Sequence, residues 1–195
     1  MEKPPNQNPV KNSLQGQLLI AMPGMPDKRF AGTVSLVCYH NAEGAMALVL
    51  NRLVGTLNIN QVLDNLKSDI NLPEELLRVH LGGPVAPQRG FILHGSELRH
   101  TDSHHVTPEV SISATSDALM ELMWHEGTIP WRFTLGCASW TAGQLEHEMR
   151  EGVWLSGPAA RDLVFHKELP TMWSNALRGI GIAHPEMLVA ENGHA

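Results

Sequence analysis

Basic residues are few and scattered: 14 Lys and Arg stand against 20 Asp and Glu, for a formal net charge of −6, with no basic run of five or more. The electrostatic footprint of a protein that grips DNA through its phosphates is missing, so direct nucleic-acid binding is not expected. The 11 His residues add little positive charge at neutral pH. Long apolar runs are lacking too. The longest, Ala45 to Leu50, is far too short to span a bilayer, and the N-terminal MEKPPNQNPVKNS has no apolar signal-peptide core. These absences lead us to expect a cytoplasmic protein with no membrane contact. Cysteine is limited to Cys38 and Cys137, both in apolar, strand-like segments where a free thiol behaves as a small hydrophobe; a disulfide or a reactive thiol is the lesser alternative. The glycines fit neither the phosphate-loop nor the dinucleotide pattern, and CASWT around Ser139 is not the G-x-S-x-G of a nucleophile elbow. No cofactor is expected.

What is present is the composition of a folded domain. At 195 residues, with 43% apolar and 17% charged residues, the chain is long enough for a substantial core. Residues 1–16, rich in Pro, Asn and Gln, read as a flexible tail. A single α+β domain over 17–190 follows, with no internal repeat and no dividing linker.

Gln17–Met22 is a first strand, closed by Pro23-Gly24-Met25-Pro26. Thr33–His40 and Ala45–Asn51, joined by Asn41-Ala42-Glu43-Gly44, form the clearest hairpin and deliver Asn51 and Arg52 to the sheet rim. Asn58 and Gln61 make a capping box ahead of a helix carrying Ile59, Val62, Leu63 and Leu66. Brief strands at Val79–Leu81 and Phe91–His94 flank Gly82-Gly83-Pro84, where the backbone must bend sharply or meet another closely. Val110–Thr115 is a strand, and Ser116 caps a helix with Leu119, Met120, Met123 and Trp124 inward.

The most informative stretch is LGCASWTAGQLEHEMREGVWL, Leu135–Leu155. It reads as a strand running into a helix capped by Thr141 with Gln144 and stopped by Gly152. Val153–Leu155 and Ala160–His166 are further strands, and Pro170 opens a last helix with Trp173, Ala176, Leu177 and Ile180 on one stripe. Helices arriving singly between groups of hairpin-connected strands give an α+β class with a mainly antiparallel sheet.

Three blocks, LLIAMPGMPDKRFAGTVSLVCYHNAEGAMALVLNR, LGGPVAPQRGFILH and the Leu135–Leu155 stretch, closely resemble the AlgH/YqgE family of bacterial proteins. The resemblance implies a bifurcated, partly barrel-like antiparallel sheet flanked by helices. It also implies a link to transcriptional control, since one namesake is tied to alginate production, and it supplies no catalytic residues to carry over. Where the family motif before the helix looks like Gly-Trp-Gly or Gly-Trp-Ala, this chain has Ser139-Trp140-Thr141.

Candidate ligand-binding residues lie in or beside these blocks: Asp27, Arg52, Arg89, His94, Trp140 and Gln144. Arginine forks clamp anions bidentately and an indole offers a stacking face. The competing structural reading pairs Arg52 with Asp27 and buries Trp140 in the core. The loop holding His100, Asp102, His104 and His105 carries metal-type ligands, yet its Thr, Ser and Pro read as solvated loop, and no metal site is expected. Together these features lead to a non-enzymatic protein acting through a small anionic ligand or a protein partner. The alternative is a cryptic enzyme using Arg52, Arg89 and Trp140 on an anionic or nucleotide-like substrate.

Overall fold

The structure, a computed structural model, describes residues 12–66, 68–70, 75–125 and 127–191. Residues 1–11 of the expected tail lie outside this set. Ser13 and Leu14 both bond to His40, through Ser13 Oγ on the His40 carbonyl and Leu14 N–H on His40 Nδ1.

In chain order the elements are β1 (Gln17–Ala21), β2 (Val34–Asn41), β3 (Gly44–Val49), β4 (Leu53–Asn58), α1 (Ile59–Asn65), β5 (Leu76–Leu81), β6 (Val85–Gly95), β7 (His104–His105) and β8 (Val110–Ser113). Then come α2 (Ser116–Trp124), β9 (Trp131–Thr141), α3 (Gln144–Arg150), β10 (Trp154–Pro158), α4 (Arg161–Val164), α5 (Leu169–Gly179) and α6 (Pro185–Glu191). The strands form a curled antiparallel half-barrel in the order β10-β1-β2-β3-β9-β6-β8-β7, with β4 and β5 off this path. The single parallel pairing among the described strands joins β5 to β9. The expected α+β architecture, with a mainly antiparallel, bifurcated sheet, is what the chain adopts.

The bifurcation has a definite cause. One edge of β9 is shared by two strands in succession: Phe133–Leu135 pair with β5, and Ala138–Thr141 pair with β3. The other edge pairs with β6. At the fork, Gly136 takes a φ of 69°, and a Cβ there would strike the Gly83 carbonyl; one on Gly82 would strike the Gly136 carbonyl. Three glycines therefore meet where two backbones approach too closely for side chains, which is the role the sequence suggests for Gly82 and Gly83.

Three apolar clusters flank the sheet. One sets Met172, Ala176 and Leu177 of α5 against Leu18, Ile20, Leu36 and Leu48. A second seats Ile59, Val62 and Leu63 of α1 and Leu119 and Leu122 of α2 on Ile92 and Phe133. The third gathers Leu19, Ala21, Met25, Trp140, Leu145 and Trp154 beside α3. Cys38 and Cys137 are free and buried, and burial pushes both thiols up, as expected of small core hydrophobes.

Four local readings are corrected. Residues 161–164 are a short helix and not a strand, because Val164 N–H and Phe165 N–H return to the carbonyls of Ala160 and Arg161. The α2 cap is Thr115, whose Oγ1 accepts from Ala118 N–H, and Trp124 is 88% exposed because the buried face follows Ala118, Leu119 and Leu122. The helix expected from Thr141 begins later, at Gln144, behind Gly143 in the left-handed conformation. Only half of its capping box forms, with Gln144 Oε1 accepting from Thr141 N–H at 3.1 Å. Finally, Leu53–Asn58 is a strand that sequence reading passes over. The Asn58–Gln61 capping box on α1 is present with both bonds.

Candidate functional site

The loop after β1, the turn before β6 and the β9–α3 junction come from the three blocks singled out in sequence. The curl of the sheet brings them to one cleft of about 320 Å³. Pro26, Asp27 and Phe30 come from the first block, Pro84 and Val85 from the second, and Ser139, Trp140, Gln144 and Glu148 from the third. Trp154, the first residue of β10, completes the wall.

The back of this cleft is aromatic. Phe30 lies 6.5 Å from Trp140, near-parallel, and 5.6 Å from Trp154, edge-on. Trp140 and Trp154 meet edge to face at 6.0 Å. Such geometries suit the ring quadrupoles and hold the rings rigidly. Beneath them both indole N–H groups donate to Oε2 of Glu148, at 2.8 Å from Trp140 and 2.7 Å from Trp154. Oε1 of Glu148 accepts from Gln144 Nε2 at 3.0 Å. One carboxylate thus satisfies two buried indoles and a side-chain amide, and it reaches them because Gln144 and Glu148 sit four residues apart on one face of α3.

At the rim Asp27 is claimed by its own loop. Its Oδ1 accepts from Arg29 N–H and Nε–H, each at 3.0 Å, and its Oδ2 from Nη2 at 2.6 Å. The Arg29 guanidinium holds the Asp27 carboxyl below its ordinary range, and Asp27 has no bond to Arg52. The expected Asp27–Arg52 bridge is replaced by this i,i+2 fork.

The six candidates therefore divide. Asp27, Trp140 and Gln144 share the aromatic cleft. Arg89 places its guanidinium 5.2 Å from the Phe91 ring centre and borders, with Trp140, a neighbouring cleft of about 710 Å³. Arg52 donates to the Ala31 carbonyl at 2.6 Å and lines a third cleft, of about 740 Å³. His94 lies apart, fully buried: its Nδ1–H donates to the Gly95 carbonyl at 2.9 Å, so Nε2 accepts from Ser113 Oγ at 2.9 Å. Burial lowers the pKa of this imidazole. His104 and His105 form the short strand β7, and among the described residues no three His, Cys, Asp or Glu side chains lie close enough to hold a metal ion.

Sequence reasoning missed Phe30, Glu148 and Trp154 as cleft residues. Only Glu148 left a signal, its position four residues after Gln144. Trp154 reaches the cleft through the pairing of β10 with β1 and Phe30 through the loop after β1, and no local pattern announces either.

A curled, forked antiparallel sheet flanked by helices places the chain among the small α+β proteins. The AlgH-like family profile matches residues 18–185, and the chain belongs to that family. It is similar to a UPF0301 protein of Methylobacterium nodulans, 39% identical over 98% of this chain and 94% of the relative. Another UPF0301 protein, from Nitrobacter hamburgensis, is 42% identical over 96% and 90%. The solution structure of the AlgH protein from Pseudomonas aeruginosa superposes with a TM-score of 0.75 at 36% identity, covering 97% of this chain and all of that one. A crystal structure from Corynebacterium diphtheriae shares the fold, with a TM-score of 0.67 at 20% identity over 88% and 89%.

Proposed function

We propose that the protein works by binding and not by catalysis, influencing transcription indirectly through a protein partner that inserts an apolar side chain into the aromatic cleft. The observation carrying this reading is that the acidic groups of the cleft are already engaged. Glu148 receives three hydrogen bonds and Asp27 is locked to Arg29, so both are structural acceptors rather than poised bases. Half-buried Phe30 and the cleft-facing edge of Trp140, backed by the buried Trp154, form a rigid apolar wall of the kind that anchors interface hot spots. A cleft of about 320 Å³ lies at the small end of ligand sites and suits one or two side chains better than a large metabolite.

The test is affinity capture from lysate with the wild type and with Ser139→Arg, an exposed rim position whose new side chain fills the cleft. The expected result is a specific partner lost in the variant at unchanged melting temperature. Equal capture by both, or no specific partner at physiological concentration, overturns the reading.

The alternative, a cryptic enzyme acting on an anionic or nucleotide-like substrate, draws support from Arg89 and Trp140 bordering one cleft. Arg52 lines a different one. Turnover abolished by Arg89→Ala without loss of stability would favour it.

A further inference from the structure

An acidic chain concentrates positive charge in one corner. Arg52, Arg78 and Lys167 line the cleft of about 740 Å³, and among the described residues Glu168 is the one carboxylate in that lining. Arg132 sits nearby, 6% exposed, with Nη1 on the Leu50 carbonyl and Nη2 on the His166 carbonyl at 2.9 Å. Four of the 14 Lys and Arg thus gather here, and none of them forms an ion pair with a carboxylate among the described residues. Buried or crowded cations normally find acidic partners; here Arg52 and Arg132 donate to backbone carbonyls instead.

The field is felt inside the protein. Arg132 is brought down to about 10, by burial first and then by the charge of Arg78. His80, two residues from Arg78 on β5, is brought down to about 4, by burial and then by the charges of Arg132 and Arg78. The opposite side of the cleft is apolar and fixed. Leu169, Pro170 and Trp173 belong to the first turns of α5, and the Trp173 indole is pinned by its N–H on the Ala21 carbonyl at 2.8 Å.

We propose that this basic cleft is a second ligand site that takes a small phosphate-bearing molecule with a flat apolar body, of the mononucleotide type. Guanidinium forks at Arg52 and Arg78 match phosphate oxygens bidentately, and Lys167 adds a point charge. The Trp173 and Pro170 side receives the flat body, and Glu168 accepts from hydroxyl groups beside it. The site stands on residues distinct from the aromatic cleft, so failure of either reading leaves the other in place.

The test is calorimetric titration of the full chain with adenosine monophosphate, pyrophosphate and adenosine. The expected result is saturable binding of the nucleotide, with pyrophosphate and adenosine each weaker by about tenfold or more. Arg78→Ala removes an exposed cation with no intramolecular bond among the described residues, and it weakens nucleotide binding by about tenfold. Arg52→Ala does the same, with melting temperature measured alongside because it also loses the bond to Ala31. Arg150→Ala, an exposed cation outside this cleft, changes affinity by less than about twofold. The proposal is overturned by no nucleotide binding up to about 5 mM, by equal losses in Arg78→Ala and Arg150→Ala, or by pyrophosphate binding as tightly as the nucleotide.

Discussion

Trp140 and Trp154 donate their indole N–H groups to the same oxygen of Glu148, at 2.8 and 2.7 Å. Strands β9 and β10 are not neighbours in the sheet, so this shared acceptor ties α3 to both of them. Trp140 is 7% and Trp154 2% exposed, so both indole N–H groups depend on this carboxylate for their hydrogen bonds.

Glu148→Ala therefore strands two buried donors and is expected to cost about 2–4 kcal/mol in urea unfolding. Glu148→Gln keeps a carbonyl oxygen and costs less. Equal stability of wild type and Glu148→Ala would show that the indoles find other partners.

Gly136→Ala meets both a positive φ and the Gly83 carbonyl. Strain of this kind costs about 1–3 kcal/mol for the backbone conformation alone, and the steric clash adds to it. Thermal melting should show a drop of several degrees or no folded protein at all. Gly127→Ala, also at positive φ but with open space around its Cβ position, is expected to cost only the conformational part.

The imidazole of His80 gives the fold a pH dependence of known sign. Burial and then the Arg132 charge bring its folded pKa from 6.5 to about 4. The unfolded chain takes up the proton first, so the contribution of His80 is complete above about pH 6.5 and is lost as pH falls towards 4. The window corresponds to about 3 kcal/mol. Urea unfolding across it should show a shallower slope for His80→Gln than for the wild type. Parallel slopes would contradict the assignment.

The two tryptophans Trp124 and Trp154 make a direct contrast. Trp124 is 88% exposed, so Trp124→Ser should change stability by less than about 0.5 kcal/mol, whereas Trp154→Ala should cost about 3–5 kcal/mol. Fluorescence of the two variants separates a solvent-facing emission from a buried one.

Much of the framework was legible where a local pattern sufficed. The β2–β3 hairpin announced itself by two apolar runs about a Gly-ended turn, and α1 by its Asn58–Gln61 box, which forms as read. Local pattern failed where an element is too short or too interrupted to show a period. Strand β4 contains Gly55 and leaves Leu53 and Val54 exposed, and the four residues of α4 are too few to show a helical period beside the apolar run Leu163-Val164-Phe165. The cleft was half legible for a similar reason. Asp27, Trp140 and Gln144 sit in recognisable blocks, but their partners are set by β1 pairing with β10 and by an arginine two residues from Asp27 competing with the more distant Arg52. The basic corner was invisible as a run, because Arg52, Arg78, Arg132 and Lys167 arrive from four separate segments.

The forked strand β9 bears on cooperativity. Its two edges carry β3, β5 and β6, so the apolar cluster under α1 and α2 and the cluster beside α3 share one ribbon of backbone. Neither half can open without stripping hydrogen bonds from the strand that anchors the other. The amide protons of both halves are therefore expected to exchange through a single global opening, and thermal melting followed by two probes should give one transition despite the three separate cores.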